Sequence, residues 1–379
     1  MNRKKHFVLF YDYLREEHLV KDVFLTPYYL GKQLDCKVSI VYLKSVGQQI
    51  QLPNTLRGVE LIPIKLWGSG KKKLFFYYWY LATHARQIDY MMRFHLKFHT
   101  YLTVVLYKLI NPHGKAYVKS DINPLDIDRW KTPSGIMFYI EKAFYNSVDV
   151  ISCETCMAYN KLMMIESPYM DFRQKLVLMP NGFDEESYQS LEIEEKVFQK
   201  KSNIMITVGR LGTPQKNTIM LLKALEKVEL GDWKFYLIGP IEDGFKSEIE
   251  GFYFRNPSKK GSVIFTGGIY DKKELWEYYN NSKVFVLTSK WEGYPIVFPE
   301  AKRFSCYLIT TPVGAAEDGT EKETVGKIIP LNDENALVEI LNNIVAGNQN
   351  VNVYRDYDKQ QLSWLSVTNV ITKRLLDLK

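Results

Sequence analysis

"KVFVLTSKWEGYPIVFPEA", residues 283–301, runs from an apolar stretch into a loop containing Gly293 and Pro295, and sets Glu292 and Glu300 eight positions apart. The apolar stretch is continuous rather than alternating, which is the pattern of a strand buried on both faces. Open parallel sheets bind ligands beyond the carboxyl ends of their strands. A carboxylate at each end of such a loop is therefore either surface decoration or a grip on a ligand that carries hydroxyls.

The rest of the chain has the same grammar. Short apolar runs recur with helix-like stretches between them, so the composition of elements is α/β with parallel sheets. The first half offers "HFVLFYDY", "KVSIVYL", "VELIPI", "KAYVKSD", "VDVISCE" and "KLVLMPNG" as strands, and the second "NIMITVGRL", "KFYLIGP", "SVIFTGG", "KVFVLTS", "CYLITTP" and "GKIIPL". "NTIMLLKALEKV" carries a helical stripe at 219, 222, 225 and 228, and "DKKELWEYYNNS" predicts a second helix. Periodicity fades in the charged stretch 181–203, which opens on an Asn-Gly turn signal. The expected division is 1–185, 186–360 and a final amphipathic helix over 361–379, with Leu362, Leu365, Val370 and Leu375 available to pack.

With 379 residues, 46% hydrophobic and 25% charged, the chain is long enough for two domains. The net charge of +7 is unevenly spread. Between Lys65 and Lys119 ten basic residues (Lys65, Lys71, Lys72, Lys73, Arg86, Arg93, Lys97, Lys108, Lys115, Lys119) face one acid, Asp89, among many aromatics. Three readings apply to this region: an anionic membrane surface, where rings sit at the headgroup boundary; nucleic acid, where rings stack on bases; or a helical subdomain with a solvated basic face. The membrane surface is the expected partner, and nucleic acid is not.

No apolar run reaches the length that spans a bilayer. The start, "MNRKKHFVLFYDY", enters a strand-like run instead of a signal-peptide core, so a cytoplasmic location is expected. Four cysteines do not make a disulfide framework, and "CETC" at 153–156 lacks a second pair or histidines at ligand spacing.

Chemistry concentrates after the second-half strands. In "VGRLGTPQKN", residues 208–217, Gly209 lets the backbone turn while Arg210 and Lys216 flank a loop that leads into a helix, a combination suited to a diphosphate. "LIGP" at 237–240 and "FTGGIYD" at 265–271 also end strands in glycine.

In this order, "VGRLGTPQKN", "LIGP", "FTGGIYD", "VFVLTS" and "EGYPIVFPE" resemble the second domain of retaining glycosyltransferases of the Glu-x7-Glu, family 4-like group, most specifically over residues 175–340. "HLVKDVFLTPYYLGKQL", residues 18–34, looks like the first loop and helix of bacterial surface-polysaccharide members. The resemblance implies a GT-B fold, two Rossmann-like domains whose parallel sheets face a central cleft, with the last helix crossing back to the first domain. It implies that Arg210 and Lys216 hold the nucleotide diphosphate, that Glu292 lies against the transferred sugar and that Glu300 takes the ribose hydroxyls. Gly209, Gly239, Tyr270 and the Gly293, Tyr294, Pro295, Ile296, Val297 loop complete the nucleotide-sugar site, although Pro295 removes one amide donor. In "TPVGAAEDG", residues 311–319, Glu317 is the polar contributor.

Members of this group often carry a histidine after a central first-domain strand. The matching "AYVKSDIN", residues 116–123, has none, which leaves Asp121 or Ser120 in that place, with His95, His99 and His113 as other candidates. The implied activity is transfer of a hexose or N-acetylhexosamine, with retention, from a nucleotide sugar, UDP-linked, to a glycan acceptor. The basic aromatic first half suggests a lipid-linked acceptor at the inner face of the plasma membrane, in surface-polysaccharide synthesis; alternatives are glycan extension on a bacterial adhesin and a non-catalytic partner subunit. No metal is required by this chemistry, and "DIDR" at 126–129 is a poor metal-binding pair.

Overall fold

A computed structural model of the chain describes residues 3–43, 52–64, 72–128, 130, 134–167 and 172–378, with only the backbone of 72–77. The chain divides into two units, 1–182 with 364–379 and 183–363.

Unit 1 runs β1 (His6–Tyr11), α1 (Asp22–Gln33), β2 (Lys37–Leu43), β3 (Thr55–Leu56), β4 (Val59–Ile64), α2 (Lys72–His84), β5 (Tyr90–Phe94), α3 (Phe98–Ile110), β6 (Lys115–Ser120), α4 (Pro124–Ile127), α5 (Ile136–Ser147), β7 (Val150–Cys153), α6 (Cys156–Met163) and β8 (Leu176–Leu178). Unit 2 continues with α7 (Glu185–Ser190), β9 (Ile204–Val208), α8 (Thr218–Lys227), β10 (Lys234–Ile238), α9 (Lys246–Arg255), β11 (Val263–Gly267), α10 (Lys272–Asn281), β12 (Val284–Leu287), α11 (Val297–Arg303), β13 (Tyr307–Thr310), α12 (Ala316–Thr320), β14 (Gly326–Ile328) and α13 (Glu334–Val345). The last helix, α14 (Trp364–Asp377), belongs to unit 1.

The first sheet has the order β3-β4-β2-β1-β5-β6-β7-β8, parallel except for the β3–β4 pair. The second is β11-β10-β9-β12-β13-β14, parallel throughout. The continuous apolar runs are explained by helices on both faces. In β1, Val8 and Phe10 join Val104 and Phe144 on one side, while Phe7 and Leu9 join Phe24, Trp364 and Ile371 on the other. In β12, Val284 and Val286 pack with Leu221, Leu225 and Leu337, and Phe285 and Leu287 with Trp276, Tyr279 and Phe298.

Three expectations change. The aromatic basic region contains β5, a strand beside β1 at the middle of the sheet, rather than helix throughout. "YMMRF" has no β-branched residue and no turn signal at its edges, so the strand carries no local mark. Its Arg93 is buried, donating to Phe10 O at 2.8 Å and pairing with Asp12 at 3.1 Å. In α8, Ile219 is exposed, and the helix buries Met220, Leu221, Leu222, Ala224 and Leu225 instead. In α14 the packed face is Trp364, Thr368, Ile371, Thr372 and Leu375, while Leu365 and Val370 face solvent. That face follows a 3.6-residue period and docks on α1, where Gln33 donates to Leu365 O at 2.7 Å and accepts from Thr368 at 3.1 Å and from Thr372 at 2.5 Å.

Candidate nucleotide-sugar site

In unit 2 the strand order reverses between β9 and β12: β10 follows β9 outward on one side, and β12, β13 and β14 run outward on the other. Loops leaving such a switch point diverge and leave a crevice. Those loops are residues 209–217 and 288–296, the two segments that hold Lys216 and Glu292.

Glycine lets the strand ends close up. Gly209 N donates to Ile238 O at 2.9 Å, and Gly239 N to Gly267 O at 2.8 Å. A Cβ on Gly239 would lie 1.8 Å from Gly209 O, and one on Gly209 would lie 3.0 Å from Lys216 Cε. Gly209 thus leaves room for the lysine stem. Gly239 lets the two strand ends touch.

The Lys216 ammonium reaches Glu292 Oε1 at 2.6 Å, with both side chains mostly buried. Ser289 Oγ donates to the same oxygen at 2.9 Å, and Gln215 Nε2 donates to Oε2 at 3.1 Å. The two loops are laced by Lys290 N to Gln215 O at 2.7 Å, Gln215 Nε2 to Trp291 O at 3.0 Å and Thr288 Oγ1 to Lys216 O at 3.0 Å. The loop after β13 joins through Gly314 N to Glu292 O at 3.2 Å. Glu292 is therefore fixed by three donors, and Lys216 holds one carboxylate with donor capacity left over. Arg210 is exposed and has no ion-pair partner among the described residues.

Glu300 sits in the first turn of α11, and its carboxylate accepts Trp276 Nε1–H at 3.1 Å and Tyr279 O–H at 3.2 Å. Burial raises its carboxyl above the ordinary range, opposed by the indole N–H, Lys272 and the phenol. Tyr294 and Pro295 are buried, and Gly293, Ile296 and Val297 half-buried. Pro295 O accepts Phe298 N at 3.0 Å. Pro295 lies just before the Ile296 N-cap of α11, outside the helix, so no helical hydrogen bond calls for its missing amide. Tyr270 is 87% exposed, and Glu317 is exposed on α12.

Asp121 lies in unit 1, exposed just after β6. Its companion is His95, at the end of β5 with φ of 62°. Burial pushes the His95 imidazole below its usual pKa, while the Asp121 carboxylate and backbone favour its charged form. Unit 1 reverses its strand order at β1 and β5. There a cavity of about 350 Å³ is lined by Tyr11, Asp12, Arg15, Arg93, His95 and Lys97, among others. The sequence carries no local mark of this cavity, because its β5 wall, "YMMRF", has no β-branched residue. Ser120 is buried, His99 half-buried, and His113 exposed beside Lys5 and Arg86. Cys153 is buried and Cys156 exposed, and Asp128 of "DIDR" pairs with Lys161 at 2.5 Å.

Of the ten basic residues noted in the sequence, Lys65 and Lys71 and the side chains of Lys72 and Lys73 lie outside the described residues. Arg93 is held by Asp12, Lys108 by Asp149 at 3.0 Å, and Lys119 by Asp22 and Glu154. These three cations are therefore internal. Arg86 and Lys97 remain at the surface.

Residues 189–361 match the family described as "Glycosyl transferases group 1". The chain carries a group 1 glycosyltransferase domain, on a two-domain GT-B fold. It is 29% identical over 160 residues to the amylovoran biosynthesis glycosyltransferase AmsD of Erwinia amylovora, covering 42% of this chain and 43% of that one. It is 27% identical over 192 residues to the UDP-Gal:alpha-D-GlcNAc-diphosphoundecaprenol alpha-1,3-galactosyltransferase of Escherichia coli, covering 48% of each. Across the curated relatives it matches, the chain spans between 43% and 61% of their length. Among solved structures, sucrose-phosphate synthase from Thermosynechococcus elongatus aligns with a TM-score of 0.69 at 15% identity over 99% of both chains. Anabaena HepE in complex with UDP and glucose aligns with 0.68 at 13%, over 99% of this chain and 100% of that one.

Proposed function

We propose that the protein is a retaining glycosyltransferase that moves a hexose or N-acetylhexosamine from a UDP-sugar to a lipid-linked glycan acceptor in bacterial surface-polysaccharide synthesis. The observation that carries this is the Lys216–Glu292 pair, 2.6 Å apart at the switch point of unit 2. A cation there faces the developing charge of a departing diphosphate, and a carboxylate beside it can accept sugar hydroxyls. The lipid-linked acceptor is suggested by the name of the Escherichia coli relative, whose substrate is a diphosphoundecaprenol-linked sugar.

In this reading the bond between the anomeric carbon and the leaving phosphate oxygen breaks while the acceptor oxygen bonds the same face of that carbon. The acceptor proton passes to the leaving diphosphate, so atoms and charge balance without a protein nucleophile. Lys216 and Arg210 stabilise the leaving oxygens, Glu292 holds the sugar, and Glu300 binds the ribose. Unit 1 supplies the acceptor site, with Asp121 or His95 toward the acceptor. The chemistry asks for no metal.

Membrane association at the cytoplasmic face is part of the proposal. It is supported by unit 1 residues that are apolar and exposed, Trp79, Leu109, Ile136, Tyr139 and Met164, with Arg86 and Lys97 at the same unit's surface. Among the described residues no helix is long and apolar enough to cross a membrane.

The test is a thermal-shift and turnover screen of UDP-, GDP- and ADP-sugars with short lipid-diphosphate saccharides as acceptors, in EDTA. A ligand at 100 times its Kd stabilises by about 2.7 kcal/mol, so a UDP-sugar is expected to raise Tm and to yield an α-linked product from an α-linked donor. An inverted product, or turnover that depends on added metal, overturns the mechanism.

A further inference from the structure

Glu300 rests on two donors that come from one helix. Trp276 and Tyr279 lie three positions apart on α10 and therefore share a face. Trp276 is 1% exposed and Tyr279 fully buried. Trp276 Nε1–H points at Oε1 from 3.1 Å and Tyr279 O–H at Oε2 from 3.2 Å, one donor to each oxygen. Neither polar atom has another hydrogen-bond partner among the described residues. The phenol is held protonated, because burial and the carboxylate beside it both push its pKa far up. It acts as a donor at every working pH.

Core packing alone does not call for this arrangement, since two phenylalanines would fill similar space without polar atoms to satisfy. A carboxylate offers about four acceptor positions on its two oxygens. The donors from α10 occupy one on each oxygen and fix the plane of the group. One further position on each oxygen remains, and two adjacent hydroxyls on a five-membered ring present two donors at matching separation.

We propose that Trp276 and Tyr279 are positioning residues that set Glu300 as a receptor for a vicinal diol, so that the site distinguishes a ribonucleoside diphosphate from its 2′-deoxy counterpart. This rests on the reading of Glu300 as the ribose contact. The charged groups around Glu300 are few. Lys272 on α10 favours the ionised form. Lys302 and Arg303, on α11 itself, are engaged by Glu321 at 2.6 Å and Glu185 at 3.0 Å. Lys359, in the 3-10 turn packed on α11, is engaged by Glu195, and β13 carries no charge.

The experiment is calorimetric titration of wild type, Glu300→Gln, Tyr279→Phe and Trp276→Phe with UDP and with 2′-deoxy-UDP between pH 5 and 8, with Tm recorded for each. Wild type is expected to prefer UDP by about tenfold or more, since a site built to bond a hydroxyl rejects an analogue lacking it. Tyr279→Phe, which keeps the ring, is expected to weaken UDP several-fold and leave 2′-deoxy-UDP nearly unchanged. Hydrogen bonds to the carboxylate favour its ionised form. Losing one is expected to move the acid midpoint of UDP binding upward by about one pH unit, the scale of one charge-assisted bond. Trp276→Phe is the second, independent arm. Equal weakening of both nucleotides at an unshifted midpoint would mean packing alone and overturns the inference. If Glu300→Gln abolishes the preference while both ring variants retain it, the inference fails and the ribose reading stands. If wild type shows no preference, the ribose reading fails and the inference with it.

Discussion

Removing the ammonium in Lys216→Ala separates catalysis from stability. Lys216 is one of three donors on Glu292, and Ser289 at 2.9 Å and Gln215 at 3.1 Å remain after it is gone. The carboxylate is therefore not orphaned. The stability loss should be that of a single hydrogen-bonded contact, about 1 kcal/mol, or about 2–4 °C in Tm for a unit of this size. The transition state has no such reserve. If the ammonium faces the leaving diphosphate, its loss removes a charge-stabilising group aimed at developing charge, which costs about 10²–10³ in kcat, or roughly 3–4 kcal/mol. Steady-state release of UDP, measured beside differential scanning fluorimetry, reads both quantities. The expected result is a folded protein with nearly normal Tm and kcat at most about one percent of wild type. A kcat within about threefold of wild type, in a protein that melts normally, would refute the assignment and reduce the pair to a structural contact.

Three further outcomes are expected. Gly239→Ala places a Cβ 1.8 Å from Gly209 O, so it should lower Tm by on the order of 10 °C. Gly244→Ala, with nothing within 4 Å of its Cβ, should stay within about 0.5 kcal/mol; equal Tm values in the two variants would remove the close-approach argument. Glu300→Ala leaves the Trp276 and Tyr279 donors unpaired in a buried place, so it should destabilise the fold by about 1–3 kcal/mol or more, whereas Glu300→Gln keeps an acceptor and should melt closer to wild type. A melt that ranks them the other way would show that these hydrogen bonds do not hold the helices. Purified protein should sediment with anionic vesicles at low salt and be released as salt rises, because exposed charges are screened beyond about 10 Å at 0.1 M; a protein that stays in the supernatant at low salt lacks the proposed membrane surface.

All twelve quoted apolar runs are strands of the structure, because a strand covered on both faces leaves an unmistakable continuous apolar run. The motifs after β9 and β12 were equally legible. Lys216 and Glu292 stand 76 positions apart, yet both follow strands, and ligands in such sheets collect at strand ends. What sequence did not reveal was anything that depends on which strands are neighbours. β5 lacks β-branched residues and sits in an aromatic stretch, so its central place, and with it the cavity at Asp12 and His95, appeared only with the sheet order. The basic cluster looked like one surface, but ion pairing takes Arg93, Lys108 and Lys119 inward, and each partner is distant in sequence.

The division has a physical reason. Periodicity and turn chemistry are local, so the chain by itself determined two runs of α/β elements with a charged stretch at 181–203 between them, and the segments after β9 and β12 that carry Lys216, Glu292 and Glu300. Hydrogen-bond partners are chosen by packing. Only tertiary structure decided that Lys216 would close on Glu292 at 2.6 Å, that α10 would lay Trp276 and Tyr279 under Glu300, and that the proline between the two glutamates would fall just before the N-cap of α11, where no helical bond needs its missing amide.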